Sequence, residues 1–323
     1  MGILTKRRRL IICILIGIGL VLLPHFIAGY ILSLIISILI ISMFVASINL
    51  LTGYGGRVTL GHSLFWGSAG YIVAILATRG IVENFYLVTL IGILATAVMA
   101  AILGPLILRV PRLYFLIITF ALANVFFSIA AYSIPGITGG SDGLTGIVRP
   151  DLGLPWSMES STNFYYLVLV VFAIIFFILY LNIRSPFGKA LLGIRDNEHR
   201  MVALGYNIFL YRYICFIVSA MIAGVSGILY VYFDRFVSPS ELHWLWAGDG
   251  LLMALIGGLG TFWGPVPGAL VFVALRYWVS AYTMYWASVS GVIFVLVVLY
   301  FRGGVVGFIM QWQRRLHHRG AKG

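Results

Sequence analysis

The stretch RSPFGKALLGIRDNEHRMVALGYNIFLYR, residues 184–212, decides how the rest of the chain is organised. Its charged side chains are Arg184, Lys189, Arg195, Arg200, Arg212, Asp196 and Glu198. A single charge at the centre of a bilayer costs about 2.5–3.5 kcal/mol on insertion scales, so this stretch cannot lie in lipid, although apolar runs flank it on both sides. We therefore interpret it as an aqueous loop between membrane spans, and its basic excess places it in the cytoplasm.

This loop carries start and stop signals for two short amphipathic helices. Ser185 is the expected N-cap of the first, with Pro186 at a helical position where its missing N–H costs nothing. Asp196 is predicted to cap the second, with Glu198 in its first turn and Gly205 as its stop. A solvated connector is the alternative, but the apolar residues between the charges favour a docking surface: Ala190, Leu191, Leu192, Ile194, Met201, Val202 and Leu204.

The composition of the whole chain is that of a membrane protein. Hydrophobic residues make up 62% of it and charged residues only 9%, with a mean hydropathy of +1.07. Soluble domains carry about 25% charged residues. The net charge of +12 does not indicate nucleic-acid binding, because the basic residues cluster beside the apolar runs. Cys13 and Cys215 lie in apolar runs and are predicted to be packed thiols rather than a disulfide or metal ligands.

Hydropathy predicts an all-α, polytopic chain with about ten transmembrane helices. The predicted spans are residues 10–28, 31–51, 62–78, 86–108, 113–132, 163–183, 212–233, 249–262, 264–282 and 285–301. With the N-terminus inside, 17 of the 21 basic residues fall on the inner side, and seven of the nine acidic residues fall outside. This bias predicts a multi-pass protein of the cell inner membrane with both termini in the cytoplasm.

The spans divide the chain into consecutive parts. These are a cytoplasmic basic tail (1–9), a first membrane half (10–183) with an outer loop (133–162), the cytoplasmic loop (184–211), a second membrane half (212–301) and a second cytoplasmic basic tail (302–323). The basic residues at 6–9 ahead of an apolar run also resemble a signal peptide. The run is long and has no good small-residue cleavage site, which favours an uncleaved first span.

Glycine interrupts the apolar pattern in two places, LTGYGGRVTLGHS at 51–63 and IGGLGTFWGPVPG at 256–268. Glycine lets the backbone leave helical geometry, and non-helical backbone at membrane depth persists only where it is buried in protein or lines a wet cavity. Two such interruptions in separate halves favour an internal repeat and a binding path. Tight helix packing through small residues is the alternative reading of both.

Small residues in or beside the first interruption are candidates for the substrate path: Thr52, Gly53, Ser63 and Ser68. Hydrogen bonding of the side-chain hydroxyl to the backbone of its own helix is the alternative role for each serine and threonine.

The outer loop supplies a second group of candidate path residues. Residues 139–143 form a turn-rich polar cluster of glycine, serine and aspartate. Thr138, Ser141 and Asp142 could meet a polar solute near the outer mouth, or they could cap the turns that join short outer helices.

The sequence contains no pattern typical of catalysis, and we predict that the chain is not an enzyme. It has no phosphate-binding G-x-x-x-x-G-K-[ST] loop, because Gly188-Lys189 is followed by Ala190. It also has no His-x-x-His or Cys-x-x-Cys spacing for a metal. We therefore expect no cofactor or metal, and no nucleotide site in this chain.

Three runs together resemble one known family. LLTGYGGRVTLGHSLFWGSAGY (50–71), ITGGSDGLTGI (137–147) and RSPFGKALLGIRDNEHRMVALGYN (184–207) are similar to the permease subunits of branched-chain amino acid ABC importers. More narrowly, the chain resembles the longer of the two paired permeases of the high-affinity leucine/isoleucine/valine importer. The resemblance runs from about Ile48 to Gly307. Arg57 stands where the family pattern leads us to expect Gln or a similar polar residue, which leaves its local contact open.

The resemblance implies a type II ABC importer fold with an internal pseudo-repeat. It also implies a heterodimer with a second permease subunit, an extracytoplasmic substrate-binding protein, and two cytoplasmic ATPase subunits that bind the ATP. The residues that fall in the family's ATPase-coupling loop are Gly188, Arg195, Asp196, Asn197 and Glu198.

Other functions fit parts of the pattern. Urea or short amides are alternative cargoes within the same class of importer. An ion-coupled secondary transporter is disfavoured, because such proteins place ionisable residues within their spans and no Asp or Glu lies at the centre of a predicted span here. A channel would suit glycine-broken segments and would need no nucleotide.

Overall fold

The computed structural model describes residues 17, 19–27, 29–81, 84–149 and 157–283, and positions 285, 288, 289, 291, 292, 295 and 304. Much of the predicted first and tenth spans, the tail at 1–9 and all of the tail at 302–323 except position 304 lie outside this description. So does part of the predicted outer loop, at 150–156.

The described chain is helical, which confirms the all-α prediction. Its helices are α1 (Tyr30–Asn49), α2 (His62–Thr78), α3 (Phe85–Ile107), α4 (Arg112–Ser128), α5 (Pro135–Thr138), α6 (Ser161–Arg184), α7 (Pro186–Asp196), α8 (Glu198–Ala203), α9 (Ile208–Asp234), α10 (Trp244–Gly257) and α11 (Pro265–Tyr282). Short π-helices follow α1 at Leu50–Tyr54 and α4 at Ile129–Ser133, and 3-10 turns cover Gly140–Asp142 and Pro239–Glu241. Strands β1 (Leu144–Thr145) and β2 (Phe236–Val237) form one antiparallel pair.

Five segments within the described residues are long and apolar enough to cross a membrane, so this is a multi-pass membrane protein. They are Tyr30–Tyr54, Phe85–Ile107, Arg112–Tyr132, Ser161–Arg184 and Ile208–Asp234. Helices α2 and α10 are apolar but shorter, at 17 and 14 residues. At 1.5 Å per residue they reach about 26 Å and 21 Å, less than the hydrocarbon thickness of about 30 Å.

Helix α9 lies at the centre of the bundle and packs against α1, α2 and α3. Close approach is possible because α9 carries small residues at these contacts: a β-carbon added at Gly227 would overlap the backbone of Trp66, and one at Gly224 would lie 2.8 Å from Oγ1 of Thr96. Helix α3, in contrast, keeps a row of large apolar side chains exposed, as expected for a lipid-facing helix: Leu90, Leu94, Val98, Ile102 and Leu106.

The connecting loops gather at two opposite ends of the bundle. At the first, which we call the basic end, residues 55–61, 108–111 and 185–207 meet, and Arg57 Nη1 donates to Val110 O at 2.6 Å. At the other, the acidic end, Arg79 Nη2 donates to Gly136 O at 2.8 Å, and Arg235 pairs with Glu159 at 2.6 Å. Loops that the predicted topology places on the same side of the membrane therefore lie together.

The residues between the predicted spans 212–233 and 249–262 do not project from the acidic end as a loop. Residues 235–243 fold back along α2, and we call them the re-entrant segment. A β-carbon at Gly70 would lie 3.8 Å from Val237 Cγ2, and one at Gly67, nearer the start of α2, would lie 2.7 Å from Leu242 Cδ2. The predicted span 249–262 is consequently wrong in its bounds: α10 already begins at Trp244, and it ends at Gly257 before Gly258 (φ +115°).

Candidate functional site

Arg195, at the C-terminal end of α7, lies between the two glycine-interrupted segments. Its Nη1 donates a hydrogen bond of 2.5 Å to the backbone carbonyl of Gly53, and its own carbonyl accepts one of 3.1 Å from Arg112 Nη2. The position is set by α7, which begins as predicted: Ser185 Oγ accepts from Gly188 N at 3.3 Å, and Pro186 occupies the first helical position. The charged loop at 184–211 is thus tied directly to the first interruption.

The two interruptions also contact each other, through Asn49. Its Oδ1 accepts from Gly260 N at 2.8 Å, and its Nδ2 donates to Thr261 O at 2.8 Å. The side chain is buried, with 3% of the residue exposed. Asn49 was absent from our candidates; the signal for it was a lone amide at the end of a long apolar run, just before the glycines.

Glycines make room for these contacts. A β-carbon at Gly53 would overlap Asn49 Oδ1 and lie 2.5 Å from Gly260 N. Gly56 has φ +68°, a conformation that favours glycine, and a β-carbon there would lie 2.8 Å from Arg195 Cγ. The close-packing interpretation of the first interruption therefore applies to Gly53, and Leu50–Tyr54 is π-helical rather than open, so the non-helical backbone begins only at Gly55.

Glu198 holds α8 against α9. Its two carboxylate oxygens accept from Arg212 Nη1 at 2.8 Å and Nη2 at 2.7 Å, and the Arg212 side chain is only 3% exposed. Bidentate pairs of this kind are among the stronger hydrogen bonds in proteins. The hydrogen bond from Arg212 lowers the pKa of Glu198 below its ordinary value. This ion pair holds the loop in its conformation, so Glu198 has a structural role within this chain.

We expect Glu198→Gln to destabilise the folded protein by about 1–3 kcal/mol at neutral pH, since it leaves the buried Arg212 guanidinium without its counter-charge. The folded-state pKa of Glu198 is lowered from 4.5, so the ionised pair stabilises the protein above that pH. This stabilisation is lost as the pH falls through the lowered value. In detergent, the unfolding temperature of the purified wild type should therefore exceed that of the variant at pH 7, and the two temperatures should converge in acid.

The matched control is Asp196→Asn. Asp196 pairs with Arg195 Nε at 3.1 Å, but its side chain is 68% exposed. The Asp196→Asn variant should therefore lose less than about 1 kcal/mol of folding stability. An equal loss in both variants would contradict the structural role of Glu198.

The prediction that Asp196 caps the second loop helix is wrong. Asn197 is the cap: its Oδ1 accepts from Arg200 N at 3.0 Å, and its extended backbone (φ −153°, ψ 99°) suits that position. Asp196 ends α7 instead. The stop at Gly205 is confirmed by its φ of +84°. Gly188 is buried, and a β-carbon there would overlap the carbonyl oxygen of Asn182.

The apolar residues of the loop divide into two groups. Ala190, Leu191, Ile194 and Met201 are buried against the bundle and Leu192 is half-buried, so internal packing accounts for most of the seven proposed docking residues. Val202 and Leu204 are 58% and 65% exposed and, with the charged residues around them, form the outward surface of the loop.

The candidate path residues do not form one site. Thr52 is buried and its Oγ1 donates to Arg57 O at 3.3 Å; Ser63 is buried, and its Oγ has no hydrogen-bond partner among the described residues. Ser68 is half-buried on α2. At the acidic end, Thr138 Oγ1 lies 2.6 Å from Ala130 O, as a turn-capping hydroxyl would.

The last two candidates, Ser141 and Asp142, are exposed in the 3-10 turn at the acidic end. Ser141 Oγ donates to Asp142 Oδ1 at 3.4 Å. The structure therefore separates the candidate path residues into one group around the first interruption and another at the opposite end of the bundle.

Comparison with known proteins identifies relatives along most of the chain. It is 24% identical to the high-affinity branched-chain amino acid transport system permease protein LivM of Escherichia coli (strain K12) over 298 residues, covering 85% of this chain and 69% of that protein. It is 25% identical to the probable branched-chain amino acid transport permease protein LivM of Methanocaldococcus jannaschii over 232 residues, covering 71% and 66%. The chain thus spans about two thirds of the length of these LivM proteins.

A second type of relative is more distant. The chain is 25% identical to the high-affinity branched-chain amino acid transport system permease protein LivH of Salmonella typhimurium over 173 residues, covering 49% of this chain and 56% of that protein. No solved structure matches the chain at a significant level. The family described as the permease component of the branched-chain amino acid transport system matches residues 30–300, a range that includes the charged loop at 184–211, both interruptions and Asn49. The chain therefore belongs to the branched-chain amino acid transport system permease family.

Proposed function

We propose that this chain is a membrane-spanning permease subunit of an ABC importer that translocates branched-chain amino acids. Family membership supports the permease role, and the names of the LivM relatives support the cargo. The observation that carries the mechanism is the contact of Arg195 with Gly53, which joins a charged loop to a glycine-interrupted segment. The relatives named LivM and LivH support pairing with a second permease subunit as a heterodimer.

The proposed topology has about ten transmembrane helices in a type II importer fold with an internal pseudo-repeat, multi-pass in the inner membrane. The basic end faces the cytoplasm, together with both termini, because it gathers arginines from three loops, as the positive-inside rule requires. The acidic end faces the extracytoplasmic binding protein.

ATP binding by two partner ATPases drives the cycle, and this chain binds neither nucleotide nor cofactor. The ATPases contact the exposed surface of the coupling loop (184–211), where Val202 and Leu204 are exposed. A shift of α7 moves Arg195, and Arg195 acts on the carbonyl of Gly53. Because Asn49 ties the first interruption to the second, both rearrange together as a rigid switch between two packings.

The experiment is uptake by the complete importer, reconstituted in vesicles with its binding protein, its second permease and its ATPases. We expect ATP-dependent accumulation of labelled leucine to exceed that of labelled urea. Preferential uptake of urea would assign the chain to the alternative cargo class. Uptake that persists without ATP and follows a proton gradient would assign it to secondary transport.

A further inference from the structure

A cavity of about 530 Å³ lies beside the re-entrant segment, between α9, α10 and α11. Its volume falls in the range of about 300–1,000 Å³ that is typical of small-molecule sites. Acidic and aromatic side chains line it, among them Asp234, Glu241, Asp249, Tyr230 and Trp246, with Arg276 as a basic member. The cavity is on the acidic side of the glycine interruptions, and none of the candidate path residues lines it.

The charges in this cavity are only partly compensated. Arg276 interacts electrostatically with Asp234 and Asp249. Glu241 is only 8% exposed; the Trp66 side chain and the Ser238 backbone are its hydrogen-bonding neighbours, and its Oε2 makes no hydrogen bond of normal geometry to a described residue. No described basic residue forms an ion pair with it. A buried carboxylate without an ion-pair partner is costly, so the cavity is electrostatically suited to a cation.

The walls of the cavity are suited to an apolar group. The rings of Tyr230 and Trp246 lie 6.0 Å apart, and the fully buried Trp66 packs behind them, with its ring 5.1 Å from Tyr230 and 5.7 Å from Trp246. Aromatic faces attract ammonium groups and also cover aliphatic carbon. An inorganic cation has no aliphatic group to pack against these rings, whereas an alkylammonium ion has one.

We propose that this cavity binds the transported amino acid, with its ammonium group at Glu241 and its aliphatic side chain against Tyr230 and Trp246. The inference rests on the proposed function and deepens it, since it assigns the place where a zwitterion, rather than a neutral amide, is recognised. Arg276 provides the opposite charge that the carboxylate of a zwitterion requires. A divalent metal fits less well, because no group of three or more acidic, histidine or cysteine residues among those described could hold one.

The first test uses the wild-type importer complex without ATP or binding protein. Saturation-transfer NMR, which detects weak binding, compares leucine, isoamylamine (leucine without its carboxylate) and isocaproate (leucine without its ammonium). We expect a signal from leucine and isoamylamine and none from isocaproate. Equal binding of isocaproate would overturn the recognition of ammonium. Displacement of isoamylamine by sodium or potassium ions but not by leucine would make this an inorganic cation site.

The second test compares Glu241→Gln with a control, Glu159→Gln, in the same complex. Glu159 is an exposed carboxylate at the acidic end that pairs with Arg235 and lies outside the cavity. We expect Glu241→Gln to weaken isoamylamine binding by about tenfold or more, and the control to leave it unchanged. Size-exclusion chromatography verifies assembly, and Asp249→Asn provides a second cavity variant if Glu241→Gln fails to assemble.

The two levels of the proposal fail differently. A wild-type importer that takes up no branched-chain amino acid contradicts the proposed function. A wild-type importer that takes up leucine, with unchanged binding and uptake in assembled Glu241→Gln and Asp249→Asn variants, contradicts the assignment of the cavity alone.

Discussion

Arg195→Ala is expected to reduce ATP-driven uptake of leucine by about tenfold to a hundredfold while the importer still assembles and hydrolyses ATP. The Arg195 guanidinium joins α7 to the first interruption, because its Nη1 donates a hydrogen bond of 2.5 Å to Gly53 O. Hydrogen bonds from charged groups contribute about 1.5–3 kcal/mol, and each 1.4 kcal/mol is a factor of about ten. Without this contact, movement of α7 no longer reaches the membrane segment, so hydrolysis and transport become uncoupled.

The measurement is uptake and ATPase rate on the same vesicles, with assembly checked by size-exclusion chromatography. Arg109→Ala is the matched control, because it removes an exposed positive charge from the basic end outside the coupling loop. Arg195→Lys should fall between wild type and Arg195→Ala, since a lysine keeps the charge but has a shorter reach and a single donor group. Normal uptake by an assembled Arg195→Ala importer would remove Arg195 from the coupling mechanism.

Gly53→Ala is expected to damage both stability and transport. The added β-carbon would overlap Asn49 Oδ1 and press on Gly260 N. Overpacking of this kind costs about 1–3 kcal/mol. If Asn49 moves away, Gly260 N and Thr261 O lose their partners, at about 1–3 kcal/mol for each buried group left unpaired. Thermal unfolding in detergent should show the loss, and uptake should fall with it.

Gly248→Ala is the matched control for this glycine. It lies inside α10, and a β-carbon there would meet only Leu60 Cδ2, at an ordinary 3.9 Å. Because alanine is the better helix former, this variant should be neutral or more stable by up to about 1 kcal/mol. Equal damage in the two variants would show that the Asn49 contact does not set the requirement for glycine at position 53.

Features encoded by neighbouring residues could be predicted from the sequence. The N-cap at Ser185 with Pro186 behind it, and the helix stop at Gly205, depend on residues a few positions apart. The cap at Asn197 was missed because Asp196 and Asn197 are both good cap residues. The choice between them follows from the length of α7, which continues through Asp196.

The contacts that define the site could not be predicted in the same way. Arg195 and Gly53 are 142 positions apart, and Asn49 and Gly260 are 211 apart, so no local pattern links them. The sequence indicated the loop and both interruptions separately. Their contact depends on how α1, α7 and α10 pack, which hydropathy does not report.

Charge counting assigned Glu241 and Asp249 to the outer side and gave no sign that they line a cavity. A polar run between two apolar runs looks the same whether it projects into water or folds back into the protein. Here it folds back along α2, so Glu241 is buried beside Leu242 and the second turn of that helix. The argument against a secondary transporter was that no Asp or Glu lies at the centre of a predicted span. Asp249 lies inside α10 rather than at the end of a span, so this helix no longer supports that argument. The ATP requirement in the uptake experiment decides that point.

The shortness of α10 has a consequence for the cost of translocation. Asp249 lines the cavity on one side, and the helix ends at Gly257 on the other. At 1.5 Å per residue, about 12 Å of helix separates them, against about 30 Å for a full hydrocarbon core. A dipolar solute that enters at the cavity and leaves at the glycines would lose its hydration over less than half of the hydrocarbon thickness. The desolvation barrier to translocation is correspondingly thinner.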